Sequence, residues 1–373
     1  MRVLTTLLIC TLGAPATLSA ETLITPKVST SFTTDGLSTV NGGAEQGSDW
    51  IGLFNGQLQL NGATNGPLEG WSLGAQAITP YGDGIEGDPV GEFNAVSNLK
   101  PNQLTLVFAW MEGQVTDDLK IRVGAIAPEQ TFMNANGAGR FINGLYGPLP
   151  TLNGNLPPPA EVVTAMGGMA EGRLSRHFTV RGGAYNIRLP DETGAAVDNT
   201  EAAYMEVAVA DKLLSYHTSR VTFGLAHRTD AFERMDTGDR QDGLTHAHVI
   251  LEQALPGATN VFLRGGLNMT PAVSKAHWHV DGGITMDDVL PGGGDVGLGG
   301  AVTRFTDSAQ AAAAAEGNAM SNAEGVVELT AQYAVLDFMK LQPDAQVVIN
   351  PQNSGKTAWV AGLRVVVGMS AGE

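Results

Sequence analysis

The sequence predicts an all-β protein, a transmembrane antiparallel β-barrel of about sixteen strands. Three observations favour this fold. Apolar and polar residues alternate with period two through much of the chain, as in strands with two unlike faces. The 48 glycines and 18 prolines among 373 residues disfavour long helices, while mean hydropathy is zero although 43% of residues are hydrophobic. After Glu21 no apolar run reaches the roughly 18 residues of a membrane helix, and a closed barrel is the other structure that spans lipid.

The first twenty residues, MRVLTTLLICTLGAPATLSA, predict a secretory signal peptide with cleavage before Glu21. They combine one basic residue, an apolar run and small residues at Ser19 and Ala20. The one cysteine, Cys10, lies in this segment, so the mature chain is expected to form no disulfide. Residues 21–373 are predicted to form a single barrel domain. With Arg2 removed, 20 basic and 38 acidic residues give a formal charge of −18, which argues against a nucleic-acid partner.

Sixteen alternating segments between Gly, Asn, Asp and Pro clusters are the predicted strands, an even number as in bacterial barrels. They lie at about 28–34, 48–61, 69–79, 103–112, 118–127, 161–174, 177–188, 200–211, 217–228, 244–253, 259–270, 276–287, 294–305, 323–334, 338–349 and 357–369. Long gaps mostly alternate with short ones, for example 80–102 before 113–117 and 128–160 before 175–176. This spacing predicts long extracellular loops and short periplasmic turns. The gap 271–275 is short where a long loop is expected.

The two faces of these strands can be assigned from the alternation. In DDLKIRVGAIAP, residues 117–128, cationic side chains alternate with apolar ones. In a soluble sandwich the charged row would face water, and in a barrel it would face the lumen. The residues predicted to line the pore, together with Arg140 from a loop, are Lys120, Arg122, Arg181, Arg264, Lys340, Gln342, Asp344, Gln346 and Arg364. Pro343 predicts a bulge or a strand end nearby, because proline cannot donate to the ladder.

Several longer segments carry a family resemblance. They are LTLVFAWMEGQVTDDLKIRVGAIAPEQTFM, RFINGLYGPLP, TNVFLRGGLNMT, VDGGITMDDVLPGGGDVGLGGAVTRF and LQPDAQVVINP. Together, and in this order, they resemble the carbohydrate-selective outer-membrane porins (OprB-like), and LQPDAQVVINP is the most specific match. The resemblance covers most of the mature chain. It implies a sixteen-stranded sugar channel in the outer membrane of a Gram-negative bacterium, with inward-folding loops, arginines at the constriction and a homotrimeric assembly.

Two features depart from that family. Such porins usually end in an aromatic residue that the barrel-assembly machinery recognises, whereas this chain continues past Val367 as GMSAGE. Aromatic residues make up only 6% of the chain, although a barrel in lipid is expected to carry two aromatic girdles.

The expected function is passive, sugar-preferring diffusion of small carbohydrates, monosaccharides above all, into the periplasm, without a cofactor. Fixed donors on the wall can hydrogen-bond to sugar hydroxyls weakly enough for conduction. Phe132, Phe141 and Tyr146, in the gap 128–160, either offer a stacking surface for sugars or pack on the wall and seal the loop. A general diffusion porin and a secreted all-β adhesin or structural protein remain as alternatives.

No enzymatic site is predicted. His246 with His248, and His277 with His279, form His-X-His pairs that would share a strand face and could bind a metal. The sequence places no third ligand, so histidines of the wall or of loop ends are the favoured interpretation, and no metal site is predicted. No GxSxG motif marks a nucleophile. The alanines 311–315 predict a short helix in an outer loop.

Overall fold

The computed structural model describes a defined part of the chain. The described residues are 23–82, 90–93, 95–99, 106–128, 131–153, 165–190, 196–214, 217–352 and 355–371. The predicted signal peptide, residues 1–20, lies outside the described residues.

The described residues form sixteen antiparallel strands in one closed barrel, in which each strand pairs with its sequence neighbours and the last strand pairs with the first. The strands are β1 (Ile24–Asn41), β2 (Gly47–Gly62), β3 (Trp71–Tyr81), β4 (Leu106–Thr116), β5 (Leu119–Ile126), β6 (Ala165–Arg173), β7 (Phe178–Pro190), β8 (Ala196–Leu214), β9 (His217–Glu233), β10 (Arg240–Leu255), β11 (Thr259–Asn268), β12 (Ala276–Leu290), β13 (Gly294–Phe305), β14 (Ala323–Leu336), β15 (Met339–Ile349) and β16 (Ala358–Ala371). The predicted fold class is confirmed.

Short helices lie in the connections between strands. In the described part of the chain these are α1 (Pro150–Asn153), α2 (Asp307–Ala315) and 3-10 turns at Ala138–Arg140, Gly144–Tyr146 and Pro271–Val273. Helix α2 confirms the helix predicted from the alanine run, and Thr306 caps it by accepting a hydrogen bond from the Ala309 N–H. Neither of the described helices is long and apolar enough to cross a membrane.

The lengths of the connections between strands indicate which end of the barrel is periplasmic. Two-residue turns such as 117–118 and 337–338 lie at one end, and the connection from β5 to β6 lies at the other. Short turns mark the periplasmic end of such barrels. Several strands extend further than predicted: β1 runs over Ile24–Asn41 instead of about 28–34. Its added residues include Pro26 and Gly36, which weaken the strand signal in the sequence, although both continue the ladder with β2.

The burial pattern of β15 separates its lumen side from its outer side. In β15, Gln342, Asp344 and Gln346 are buried, whereas Pro343 and Ala345 between them are exposed on the outer wall. Neither a bulge nor a strand end lies at Pro343 itself, and the nearest register shift is in the ladder with β14, opposite Met339 and Lys340. Pro343 pairs with Leu363 of β16 in a continuous register, so the strand accommodates it without a shift.

The last strand, β16, includes most of the GMSAGE segment that follows Val367. Gly368, Met369, Ser370 and Ala371 all belong to β16 and pair with β1, with Ala371 opposite Val28. The segment therefore lengthens the seam between the first and last strands.

Some of the sparse aromatic residues lie on the outer wall near its two rims. All five tryptophans lie in the described residues, and four face outward: Trp50, Trp71, Trp278 and Trp359. Trp71 begins β3 and Tyr81 ends it on the same face. Ten residues at about 3.4 Å each, tilted by about 40°, correspond to a height of about 26 Å, close to the ~25 Å apolar band of outer-membrane barrels. The two girdles are thin, but they have the spacing that lipid requires.

Candidate functional site

A loop between β5 and β6 folds into the lumen and rests on its wall. We call its described residues 131–153 the inward loop. The Phe132 ring stacks on Tyr204 with centroids 5.1 Å apart, and Phe141 stacks on Tyr146 at 4.2 Å. Phe132, Phe141 and Tyr146 are almost fully buried. Burial raises the pKa of the Tyr146 phenol, with a further contribution from the nearby Glu328 carboxylate, so the ring stays neutral. Of the two interpretations, the structure places these aromatics between loop and wall, where they seal the loop.

Arg264 of β11 fastens this loop through its main chain. Its Nη1 donates to the carbonyls of Met133 and Gly147 at 3.1 and 2.7 Å, and its Nη2 donates to that of Leu145 at 3.1 Å. Its Nε donates to Asp281 at 2.9 Å. Arg264 faces the lumen as expected, but it is fully buried. Its donors are used by the loop, so it is not available to a solute as the sequence led us to expect.

Carboxylates of the barrel wall also hold the inward loop, by accepting hydrogen bonds from its backbone N–H groups. Glu206 accepts from the Met133 N–H at 2.7 Å, and Glu252 accepts from the Asn136 N–H at 2.8 Å. Glu328 accepts from the N–H groups of Ile142 and Asn143 at 2.6 and 3.0 Å. Carboxylates accept strongly from backbone N–H groups. These glutamates were not among the residues predicted to line the pore, although each occupies a lumen-facing position of a strand.

Two predicted pore-lining amides also bind loop backbone. Gln342 Nε2 donates to the Arg140 carbonyl and Gln346 Nε2 donates to the Val96 carbonyl, both at 2.8 Å. Asp344 accepts from Gln346 at 2.8 Å. All three side chains face inward but are buried under the loops. They form part of the seat for these loops rather than the accessible lining.

Arg364 anchors a second segment, residues 90–93 and 95–99, which we call the inward segment. Its guanidinium donates to both Asp35 oxygens at 2.6 and 2.7 Å and to the Asn98 side chain at 2.6 Å. Ser97 donates to the same carboxylate at 2.6 Å. The inward segment and the inward loop are joined directly, since the Asn98 N–H donates to the Ile142 carbonyl at 2.7 Å.

Arg140, at the deepest part of the inward loop, reaches the periplasmic half of the wall. It donates to Asp287 at 2.7 Å and to Asp295 at 2.5 Å, and its side chain is 23% exposed. Lys340 lies near it, with its Nζ 3.5 Å from Gln332, which also accepts from Arg140. Arg140 and Lys340 thus remain accessible to the bore.

Partly exposed charges of β4 to β7, together with the buried Glu206 of β8, form a ladder that we call the ionic strip. Its members are Glu112, Lys120, Arg122, Glu171, Arg181 and Glu206. Register places Glu112 opposite Arg122, Lys120 opposite Glu171, and Arg181 between Glu171 and Glu206. Lys120 lies 2.8 Å from Glu112, and Arg181 lies 3.2 Å from Glu171. Three carboxylates face three cations, so the strip has no formal net charge.

Arg122 also covers the single lumen-facing tryptophan. Its guanidinium carbon lies 4.5 Å from the centroid of the Trp110 ring. The ring lies over Gly74, where an added Cβ would come within 2.2 Å of it. Trp110 is therefore held flat against the wall between β3 and β5.

The inward positions of β1 to β3 carry uncharged polar groups that the sequence analysis missed. We call Ser29, Ser31, Asn55, Gln57, Gln59 and Gln76 the amide face. The ladders from β1 to β3 run without a register shift and place Gln57 between Ser29 and Gln76. All six residues are partly exposed. The signal was present in FNGQLQLNG, where amides alternate with apolar residues or glycine.

The histidines support the loop and the wall. His246 bonds to Thr151 of α1, His248 to Glu206, and His279 to Asp281, each at 2.8 Å. His277 is only partly buried, at the bulge that begins β12. Among the described residues, no group of three or more potential ligands is placed to hold a metal ion.

A closed barrel of this size with polar inward rows, an apolar belted exterior and loops folded into the lumen defines an outer-membrane porin. The model of the carbohydrate-selective porins, OprB family, matches residues 52–223 and 212–369, and the chain belongs to that family. It is a channel of the Gram-negative outer membrane and not an enzyme.

Solved structures show the same fold at low identity. The high-pH structure of Pseudomonas putida OprB is 14% identical, with a TM-score of 0.80 over 92% of this chain and 94% of that one. The low-pH structure of the same protein is 11% identical, with a TM-score of 0.53 over 92% and 93%. Pseudomonas aeruginosa OpdL is 11% identical, with a TM-score of 0.50 over 94% and 99%. No curated protein sequence gives a significant match.

Proposed function

We propose that this porin carries small neutral carbohydrates, monosaccharides above all, passively into the periplasm and prefers them to ions and amino acids. The observation that supports this preference is the accessible lining of β1 to β7. It combines uncharged amides and hydroxyls with an ionic strip whose charges are paired with one another.

The preference follows from what each solute gains at such a wall. A strong net field in the lumen would concentrate ions of one sign. Paired charges largely cancel that field, so an ion that loses hydration water recovers little. A sugar is neutral, and its hydroxyls can exchange water for wall groups at small net cost. Weak, repeated contacts of this kind allow conduction.

The same proposal includes the surroundings of the barrel. The outward rows are apolar, as in Val261 and Leu263 of β11, and support contact with outer-membrane lipid. Folding by the barrel-assembly machinery and assembly as a homotrimer remain predictions from the family resemblance. Membership of this porin family excludes the alternative of a secreted adhesin or structural protein.

Swelling of liposomes that contain the refolded mature chain tests the proposal. Glucose, a disaccharide and an amino acid of similar size to glucose are compared, after heat-modifiable gel mobility has confirmed folding. We expect glucose to enter several-fold faster than the amino acid. Equal rates would identify a general diffusion porin and contradict the sugar preference.

A further inference from the structure

The amide face stands out because it is uncharged and accessible in a lumen whose other polar side chains are largely occupied. On β1 the inward row between Lys27 and Asp35 consists of Ser29, Ser31 and Thr33. By contrast, Asp344 and Gln346 on β15 lie buried under the loops. The loops therefore cover one part of the wall and leave this part open.

Its groups are arranged over three adjacent strands. Neighbouring strands lie about 4.8 Å apart and alternate residues on one strand about 7 Å apart. Ser29, Gln57 and Gln76 form one row across β1 to β3, while Asn55, Gln57 and Gln59 form a column along β2. A solute with hydroxyls around a ring can thus meet several of these groups at once.

Two of the amides are fixed and two are free. Gln76 Nε2 donates to the Asn55 side-chain oxygen at 3.0 Å, and this bond uses neither the Gln76 oxygen nor the Asn55 nitrogen. In the described part of the chain, the side chains of Gln57 and Gln59 have no hydrogen-bond partner. The face therefore offers unused donors and acceptors side by side.

The chemistry of these groups matches a neutral polyol. An amide both donates and accepts, and so does a serine hydroxyl. A sugar hydroxyl also does both, so it can bond here in either direction. Neutral hydrogen bonds are weaker than charge-assisted ones, which favours rapid release.

We propose that the amide face is the sugar-binding track of the channel, with Gln57 and Gln59 as the main contacts for monosaccharide hydroxyls. This inference rests on the proposed function and adds a binding site to it. The ionic strip borders the track, and its own pairing keeps it from competing for the solute.

Block of single-channel ion current by glucose tests the track directly. Gln57→Met with Gln59→Met removes the amides at nearly constant length. Gln114→Met is the matched control, since Gln114 is an exposed inward amide of β4 at the periplasmic end, where it bonds to the Thr116 carbonyl. All three proteins are first shown to fold by gel mobility.

We expect glucose to block wild type and Gln114→Met with the same affinity and the double variant roughly tenfold more weakly, the effect of losing two hydrogen bonds of ordinary strength. The conductance without sugar should change little. Equal block in the double variant, or equal weakening in the control, would overturn the proposal. If swelling still shows a sugar preference in wild type, the proposed function survives that result; without such a preference both fail.

Discussion

A fully buried arginine sets the position of the inward loop, and this is the clearest single-residue effect in the lumen. Arg264 binds three backbone carbonyls of the loop and is itself fixed by Asp281. Because the contacts are made to main-chain atoms, they do not depend on the loop's side chains. The size of the opening therefore depends on a wall residue that never reaches it.

Replacement of Arg264 should widen the channel. In Arg264→Met the loop loses three hydrogen bonds and Asp281 loses its ion pair, a change that costs about 3–5 kcal/mol when the remaining charge stays buried. We expect single-channel conductance and disaccharide entry to rise several-fold, with a smaller rise for glucose. Adding Asp281→Asn should recover stability without restoring the loop.

The matched control for this change is Arg304→Met on β13, two strands away from β11. Arg304 lies at the extracellular end of the barrel, where it bonds to the Asn322 carbonyl and pairs with Asp307, and among the described residues it makes no hydrogen bond or ion pair to the inward loop. The single-channel conductance of Arg304→Met should equal that of wild type. An unchanged conductance in folded Arg264→Met would show that the loop is held by other contacts.

At the scale of elements, alternation predicted the strands well because each strand separates two very different surroundings. It was harder to predict which lumen-facing side chains stay accessible and which are covered by loops. Arg122 and Arg364 have similar local patterns, yet one lines the accessible lumen and the other is buried beneath the inward segment. That difference depends on where loops fold, and the loops carry no periodic signal. The amide row of β2 was visible in the sequence but looked like ordinary lumen wall.

A glycine in β5 gives an element-scale test of strand packing. Gly124 has a φ of 141°, and a Cβ there would lie 2.2 Å from the Ala109 carbonyl oxygen of β4. Gly124→Ala should therefore lower the free energy of unfolding by about 1–3 kcal/mol. Gly172→Ala in β6 is the control, because a Cβ there meets open space. Urea unfolding in vesicles, followed by gel mobility, measures both; equal midpoints would contradict the strained geometry of β5.

At the scale of the whole molecule, the protein is a belted cylinder whose lumen is partly filled by its own loops. The outer wall and the inner wall follow from one repeated pattern, since successive residues face lipid and lumen in turn. The loops then divide the inner wall into a covered part, which carries much of the buried polar network, and an accessible part. The accessible part of the wall determines which solutes are favoured. The contacts that keep the loops on the covered part determine the size of the pore.

The tryptophans allow the placement in the bilayer to be measured. Trp50, Trp71, Trp278 and Trp359 should lie at the two interfaces, while Trp110 lies in the lumen. With lipid quenchers attached at different depths, quenching should be strongest near the interfaces and weakest at the bilayer centre. Trp110→Phe should not alter that profile. A maximum at the centre would contradict the girdle assignment.

The proposed sugar preference requires that the accessible lining of the channel favours neutral sugars over other solutes of the same size. The most direct measurement is simultaneous uptake of glucose and an amino acid of similar size from an equimolar mixture into the same vesicles. Both solutes then share one population of channels, so the ratio does not depend on the amount of inserted protein. We predict several-fold more glucose inside at early times, whereas a ratio of one would show that the channel sorts these solutes by size alone and would contradict the account.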